Sequence, residues 1–174
     1  MGRIREQYIS TGKVRFVYKH FAILGPESNR AAEASECAAE QGQFWPFHDA
    51  VFADQNTTRS TLSQERLVEL AGTLGLDTDA FAECLRSGRY TSFVTQQSLG
   101  IQSLGVRGTP AFLVNGVFIS GAQPFEVFQQ VIDEQLAQAG VEPPASVAEA
   151  TATPTPVPPP TESAPPAGGQ HSDE

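Results

Sequence analysis

Residues 105–116, with the sequence GVRGTPAFLVNG, constrain the fold more than any other stretch of this chain. A glycine, a threonine and a proline precede a short apolar run, which an Asn-Gly pair then closes. Asn-Gly between two apolar runs is the strongest short-range signal for a β-hairpin with a two-residue turn. The sequence therefore predicts antiparallel strands at 111–114 and 117–120, joined at Asn115 and Gly116.

The rest of the ordered chain is predicted to be one further strand and a set of helices. Residues 13–21, KVRFVYKHF, alternate in polarity, and Val17 makes the second face partly apolar, so an interior strand is expected at 14–18. Five helices are expected to follow, then a last amphipathic helix after the hairpin, and RIREQYI resembles a helix end. Their expected boundaries are Ser28 or Asn29, Gly42, Pro46, Ser63, Gly75, Asp77, Gly88, residues 90–104 and Gly140. This order indicates an α/β domain with a small sheet and a large helical insertion at about 28–104.

The domain is expected to end near Gly140, and 141–174 to form a disordered tail. Residues 143–174 hold nine of the thirteen prolines and no aromatic residue, leucine, isoleucine or methionine. Such a composition buries too little apolar surface to offset the entropy of ordering.

Charge and hydropathy exclude two classes of function. The formal net charge is −9, and the eleven basic residues form no cluster, so no nucleic-acid partner is expected. No apolar run approaches the roughly 20 residues that span a bilayer, and the N-terminus lacks the apolar core of a signal peptide.

The two cysteines, Cys37 and Cys84, are 47 positions apart and form no C-x-x-C motif. The three histidines are not spaced like metal ligands, so no metal site is expected. His20 and His48 have no nucleophile nearby in sequence and are interpreted as packing residues. From the residues alone, the cysteines could be a disulfide between helices, two buried thiols or a redox-active pair.

Several of these stretches resemble one family, the DsbA-like thioredoxin-fold proteins. GVRGTPAFLVNGVFISGAQPFEVFQQVI looks like the C-terminal half of that fold, and TGKVRFVYKHFAILGPES resembles the strand after its active-site helix. AAEASECAAEQGQFWPFHDAVFADQ is similar to the start of its helical insertion. The resemblance covers residues 3–139. It implies a thioredoxin-like α/β fold with a helical insertion, truncated at its N-terminus, followed by the Pro-rich tail.

The resemblance implies a cis peptide bond between Thr109 and Pro110 in a substrate-binding loop. That loop consists of Arg107, Gly108, Thr109, Pro110 and Ala111. A proline there donates no hydrogen bond, so neighbouring backbone groups stay free to pair with an extended peptide. In the family the loop faces a C-x-x-C pair at a helix N-terminus, which would lie before residue 3 and is absent here. Some members also carry a structural disulfide in the insertion, and Cys37 and Cys84 resemble it.

The absent strand and helix carry a structural expectation. In the family the missing first strand lies between the strands at 14–18 and 111–114, so its loss leaves backbone groups without partners. A stable monomer of residues 1–174 is therefore not expected. The interpretations are a late reading-frame start or a fragment, a strand supplied by another chain, or a redox-dead relic.

The function implied is protein dithiol–disulfide exchange, with this chain carrying the cis-proline loop but no catalytic cysteine pair. Extended polypeptide substrates and a redox partner protein are implied, with no dissociable cofactor. The expected compartment is extracytoplasmic, or the cytoplasm if Met1 is the true start. The alternatives are a redox-inactive peptide-binding or chaperone-like module and an enzyme resembling the kappa-class glutathione transferases and related isomerases.

Overall fold

The computed structural model describes residues 1–57 and 61–144. A short N-terminal helix, α1, continues as a π-helical turn over Arg5–Ile9, and five helices precede a two-stranded hairpin and a last helix. The elements are α1 (Gly2–Ile4), α2 (Pro26–Glu40), α3 (Phe44–Thr57), α4 (Gln64–Thr73), α5 (Thr78–Ser87), α6 (Thr91–Ser103), β1 (Ala111–Val114), β2 (Val117–Ser120) and α7 (Phe125–Gln138). Apart from residues 141–144, the predicted tail lies outside the described residues.

The helix boundaries follow local capping chemistry. The Ser63 hydroxyl accepts a hydrogen bond from the Arg66 amide at 3.3 Å, which begins α4 as predicted. The Asp77 carboxylate accepts from the amides of Asp79 and Ala80 and begins α5. The expected start of α2 at Ser28 or Asn29 is wrong, because Pro26 occupies the first turn and the helix begins there.

The larger core lies among α2, α3, α4 and α5. Phe47 of α3 and Phe81 of α5 are fully buried, with ring centroids 5.3 Å apart. The buried members of this cluster are Ala34, Cys37, Ala38, Phe47, Val51, Leu62, Leu67, Leu70, Ala71, Leu76, Phe81, Cys84 and Leu85. The helical insertion therefore has its own apolar core.

The hairpin forms as the sequence predicts. Ala111 pairs with Ser120 and Val114 with Val117 in an antiparallel register. At the turn, Asn115 has φ +47° and Gly116 has φ +96°, the left-handed conformations that this two-residue turn requires.

One face of the hairpin packs on α7 and forms a second, smaller core. The Phe112 ring lies edge-on to Phe128, with centroids 4.8 Å apart. The buried members are Ile4, Tyr8, Ile119, Phe128, Ile132 and Leu136. Phe128, Ile132 and Leu136 are spaced four positions apart and form the buried face of the last helix, which the sequence predicts to be amphipathic.

The N-terminal helical segment packs against α7. The Tyr8 hydroxyl donates a 2.7 Å hydrogen bond to the Asp133 carboxylate, and Tyr8 is fully buried. Arg3 lies 3.8 Å above the Phe125 ring and pairs with Glu126 at 3.0 Å. The first and last helical segments therefore hold each other in place.

The interior strand predicted at 14–18 is wrong as a sheet element. Its alternation is real, since residues 14, 16, 18 and 20 are buried or partly buried and residues 15, 17 and 19 are exposed. However, the only described sheet has two strands, β1 and β2, and no described segment pairs with residues 15–19. A strand, unlike a helix, needs a neighbour to bond its backbone, so the alternation alone does not produce one. Val17 is accordingly 51% exposed rather than interior.

Candidate functional site

The predicted substrate loop, residues 107–111, projects from the N-terminal end of β1. The Thr109–Pro110 peptide bond is cis, which confirms the expectation for this position. Buried Val106 fixes the chain before the loop, and the Gly121 amide donates to the Pro110 carbonyl at 2.9 Å after it. Between these anchors, residues 107–110 are exposed. The loop is thus held at both ends and open in the middle.

The backbone of the loop has unpaired hydrogen-bonding groups. Within the described residues, the amides and carbonyls of Gly108 and Thr109 make no backbone hydrogen bond. Because these groups lie in exposed residues, an extended peptide could pair with them without displacing protein partners.

The side chains around the loop are a cation and an apolar pair. Arg107 is exposed and makes no ion pair with any described residue. Leu113 and Phe118 face each other across the hairpin on the face opposite Phe112, and they are 56% and 49% exposed. A polypeptide that continued from the loop along β1 toward the turn would meet this apolar pair after the free backbone groups.

Cys37 of α2 and Cys84 of α5 form a disulfide with a Cα–Cα distance of 5.9 Å. The two residues are only 1% and 2% exposed. This is the structural disulfide that the resemblance implies. An external thiolate cannot reach either sulfur in the folded protein, so this pair cannot carry out disulfide exchange at the loop.

His20 and His48 lie in packed surroundings, as the sequence indicates. His20 is 3% exposed, and its Nε2 lies 2.7 Å from Oε1 of Glu36. His48 lies with its Nδ1 2.9 Å from the Asp49 carboxylate. No group of three or more potential metal ligands occurs within residues 1–57 and 61–144.

Sequence reasoning missed an aromatic surface where residues 16–20 pack on α3. Phe16 lies 5.8 Å from Trp45, and Tyr18 lies 5.4 Å from Phe44 and 5.1 Å from His48, measured between ring centroids. Burial raises the pKa of the Tyr18 phenol above its ordinary value. The inward positions of the alternating segment could have predicted this cluster, because three of them carry rings.

Comparison with known proteins identifies relatives over most of the chain. A family model described as thioredoxin matches residues 1–134. A probable disulfide bond formation protein D of Bacillus anthracis is 31% identical over 140 residues, which cover 77% of this chain and 63% of that protein. A Na(+)/H(+) antiporter NhaA 3 of Salinispora tropica is 34% identical over 142 residues, 80% of this chain and 21% of the antiporter.

Solved structures show the same similarity in three dimensions. Oxidised BdbD from Bacillus subtilis superposes with a TM-score of 0.71 at 25% identity, covering 79% of this chain and 76% of that one. α-DsbA1 of Wolbachia pipientis superposes with a TM-score of 0.66 at 27% identity over the same shares. The chain thus spans about three quarters of these structures, under two thirds of the disulfide bond formation protein and about a fifth of the antiporter. Within the part of the chain that the structure describes, no helix is long and apolar enough to cross a membrane.

Proposed function

The chain belongs to the thioredoxin family, as a member with the DsbA-like fold, and on that basis we propose that it is the substrate-docking part of a thiol–disulfide oxidoreductase. The observation that carries this proposal is the exposed loop at Thr109 and cis-Pro110, anchored at both ends with free backbone groups between. Its substrates are extended or unfolded polypeptides that contain cysteine, and a redox partner protein restores the oxidation state. The antiporter's name comes from a protein of which this chain covers about a fifth, so transport is not part of the proposal.

The loop residues divide the docking task. Gly108 and Thr109 offer backbone amides and carbonyls to the substrate strand, and Thr109 also meets the reacting sulfur atoms. Phe112 packs on Phe128 below the loop and holds the start of β1 in position. Ala111 begins β1 with a side chain small enough to let a second backbone approach.

The exchange itself requires a dithiol that residues 1–174 do not supply. A thiolate attacks one sulfur of a disulfide, a new S–S bond forms, and the other sulfur leaves as a thiolate. The second thiol then attacks the mixed disulfide, so two thiols are oxidised as one disulfide is reduced. Cys37 and Cys84 are already bonded to each other and buried, which restricts the role of this chain to docking.

An oxidising, extracytoplasmic compartment is proposed for the protein. Its support is the Cys37–Cys84 disulfide, because such bonds persist outside the reducing cytosol. The same disulfide argues against a glutathione transferase of the kappa class, which works inside cells and does not need it.

The test is binding of a cysteine-containing peptide to the full chain, followed by amide NMR. The probe is a seven-residue extended peptide with its central cysteine S-methylated, so that no covalent exchange occurs. We expect the amide signals of Gly108, Thr109 and Ala111 to shift. Thr109→Asp should weaken binding at least fivefold, because it places a charge beside the docked backbone.

One control variant and one contrary outcome make the docking test specific. Thr73→Asp changes an exposed residue at the end of α4, outside the loop, and should leave the affinity for the peptide unchanged. Unchanged loop signals at saturating peptide would overturn the docking role.

A second candidate is a redox-inactive peptide-binding module, favoured by the absence of a C-x-x-C pair from the 174 residues. Both candidates bind the peptide, so a different measurement separates them. Mass spectrometry of the protein purified from its own cells shows whether a C-x-x-C segment is part of the same polypeptide. A purified protein that binds the peptide and has only Cys37 and Cys84 establishes the second candidate.

A further inference from the structure

A polar cleft, here called the insertion cleft, opens where α2, α4, α5 and α6 meet. Its volume is about 420 Å³, a size that suits a small molecule. Pro26, Gln64 and Thr91, the first residues of α2, α4 and α6, all line it, so three helices begin at the cleft. The cleft shares no residue with the loop at 107–111, so a ligand bound there is independent of the proposed function.

Two lining residues, Arg30 and Glu33, have opposite charges that do not pair with each other. Their spacing of three positions on one helix normally allows an ion pair. Arg66 and Glu69, in the same order and at the same spacing on α4, form one at 2.7 Å. In contrast, neither Arg30 nor Glu33 makes an ion pair with any described residue.

Neighbours on other parts of the insertion hold these two charged groups in place. Arg30 Nη1 donates to the Leu62 carbonyl at 3.2 Å, and the Thr91 hydroxyl donates to Oε2 of Glu33 at 2.9 Å. Arg30 and Glu33 are both partly buried. Because a guanidinium has several N–H donors and a carboxylate has several acceptor sites, each group keeps the capacity to bond a ligand.

Uncharged groups complete the lining. The side chains of Gln64 and Thr95 line the cleft and make no hydrogen bond with any described residue. Leu85, which is 7% exposed, is part of the apolar lining. A ligand in the cleft would therefore meet free polar groups and a small apolar surface besides the two charges.

The surrounding charge disfavours an anion that has no positive group of its own. Glu27 and Glu65 lie in the first turns of α2 and α4, where their carboxylates already compensate the positive ends of those helices. The formal net charge of the chain is −9. A ligand that carries an ammonium group as well as a carboxylate satisfies both Arg30 and Glu33 and adds no net charge.

We propose that the insertion cleft binds a small zwitterion, a free α-amino acid. Its carboxylate accepts hydrogen bonds from Arg30, and its ammonium group donates to Glu33. Since both protein groups are partly exposed to water, we expect weak binding, with a dissociation constant on the order of 1 mM. A ligand bound only by the folded insertion also raises its stability.

The probe is L-threonine, whose hydroxyl can bond to Gln64 or Thr95 and whose methyl group can contact Leu85. It is titrated into the full chain to about 50 mM at constant ionic strength and followed by amide NMR. We expect the amide signals of Arg30, Glu33 and the first turns of α4 and α6 to shift with one dissociation constant. N-acetyl-L-threonine lacks the ammonium group and L-threonine amide lacks the carboxylate, so each should bind at least fivefold more weakly.

Removing either charge from the protein should change the preference among these ligands as well as the affinity. Glu33→Gln should bind L-threonine at least fivefold more weakly and lose the preference for it over the N-acetyl form. Arg30→Gln should lose the preference over the amide. The matched variants Glu83→Gln and Arg86→Gln make the same changes in charge at an exposed ion pair of α5 and should keep both preferences.

Three results would overturn this assignment. The first is the absence of any shift at the cleft residues at the highest L-threonine concentration. The second is equal affinity for L-threonine and its N-acetyl form, which would show that the cleft selects anions only. Both are measured on the unchanged protein, so they do not depend on the folding of a variant. The third is loss of the preferences in the matched variants, which would show that net charge, and not this cleft, selects the ligand.

Discussion

The helical insertion and the hairpin half of this molecule differ in the size of their cores and in how completely their backbones are hydrogen-bonded. The insertion packs thirteen buried residues in one cluster and adds a buried disulfide between α2 and α5. The hairpin half packs six buried residues in its cluster and has two strands, and residues 15–19 have no backbone partners among the described residues.

The difference follows from how each kind of element bonds its backbone. A helix bonds its own amides to carbonyls four residues back, so five helices need only side-chain contacts to complete a core. A strand forms its backbone hydrogen bonds with a neighbouring strand. The outer edges of the hairpin and residues 15–19 therefore keep unpaired amides and carbonyls unless another strand binds to them. The insertion therefore completes its structure by itself, whereas the hairpin half keeps unpaired backbone groups among the described residues.

Truncating one phenylalanine in each core tests whether the two halves differ in stability. Phe81→Ala in the insertion should cost about 3–5 kcal/mol of unfolding free energy, because its ring is fully buried. Phe128→Ala should cost less, since its smaller core can relax around the lost ring. Urea unfolding measures both, and Phe52→Ala, at a ring that is 55% exposed, serves as the control near zero. Equal costs for the two core variants would show that the two halves are equally closed.

Removing the disulfide tests whether its effect is confined to the insertion. The double variant Cys37→Ala, Cys84→Ala opens a loop closed across 47 positions, which should cost up to about 4 kcal/mol. Hydrogen exchange resolved by residue should show faster opening of α2 and α5 and little change in α7. Equal loss of protection in α7 would mean that the two halves unfold as one unit.

The smallest expected effect is that of Tyr8→Phe in the hairpin half. Losing the hydrogen bond to Asp133 should cost about 1–3 kcal/mol at neutral pH. Burial, followed by that hydrogen bond, raises the pKa of the Tyr8 phenol above its ordinary value of 10. The folded chain therefore holds this proton more tightly than the unfolded chain, and stability declines as the pH rises above about 10. Urea unfolding at pH 7 and pH 10.5 should show a smaller fall in the free energy of unfolding for the variant than for the unchanged protein. If the two falls are equal, a group other than Tyr8 causes the pH dependence.

Local signals in the sequence predicted most of the fold. Ser63 and Asp77 begin helices through their side chains, and Gly88 ends one through its left-handed backbone. Asn115 and Gly116 define the hairpin, because they adopt the left-handed conformations that its two-residue turn requires. Local signals could not decide whether residues 14–18 form a strand, because a strand also needs a partner from another part of the sheet. Alternation correctly predicted which side chains point inward, but the expectation failed for the backbone bonds and for Val17, which is 51% exposed.

The candidate site was predictable in part. Thr109 and Pro110 were identified through a resemblance, which also implied the cis bond, and Cys37 and Cys84 through the same route. The unpaired backbone of residues 15–19 was expected from the resemblance, because the strand beside it is absent from this sequence. The unpaired cations Arg15 and Lys19 were not predicted, because ion pairs become evident only when the partners of the other described residues are known. Ion pairs between residues far apart in sequence, such as Arg89 with Glu40, leave no local pattern.

The contact between Tyr8 and Asp133 joins residues 125 positions apart, and this has a consequence for synthesis on the ribosome. All residues of the larger core have been translated once Leu85 is added, whereas the smaller core needs Leu136. At 5–20 residues per second, translation reaches Leu136 roughly 3–10 s after Leu85. During that interval the N-terminal helical segment has emerged without the helix that buries Tyr8. A nascent chain therefore exposes Ile4 and Tyr8 for seconds, which is long enough for a chaperone to bind them before α7 is made.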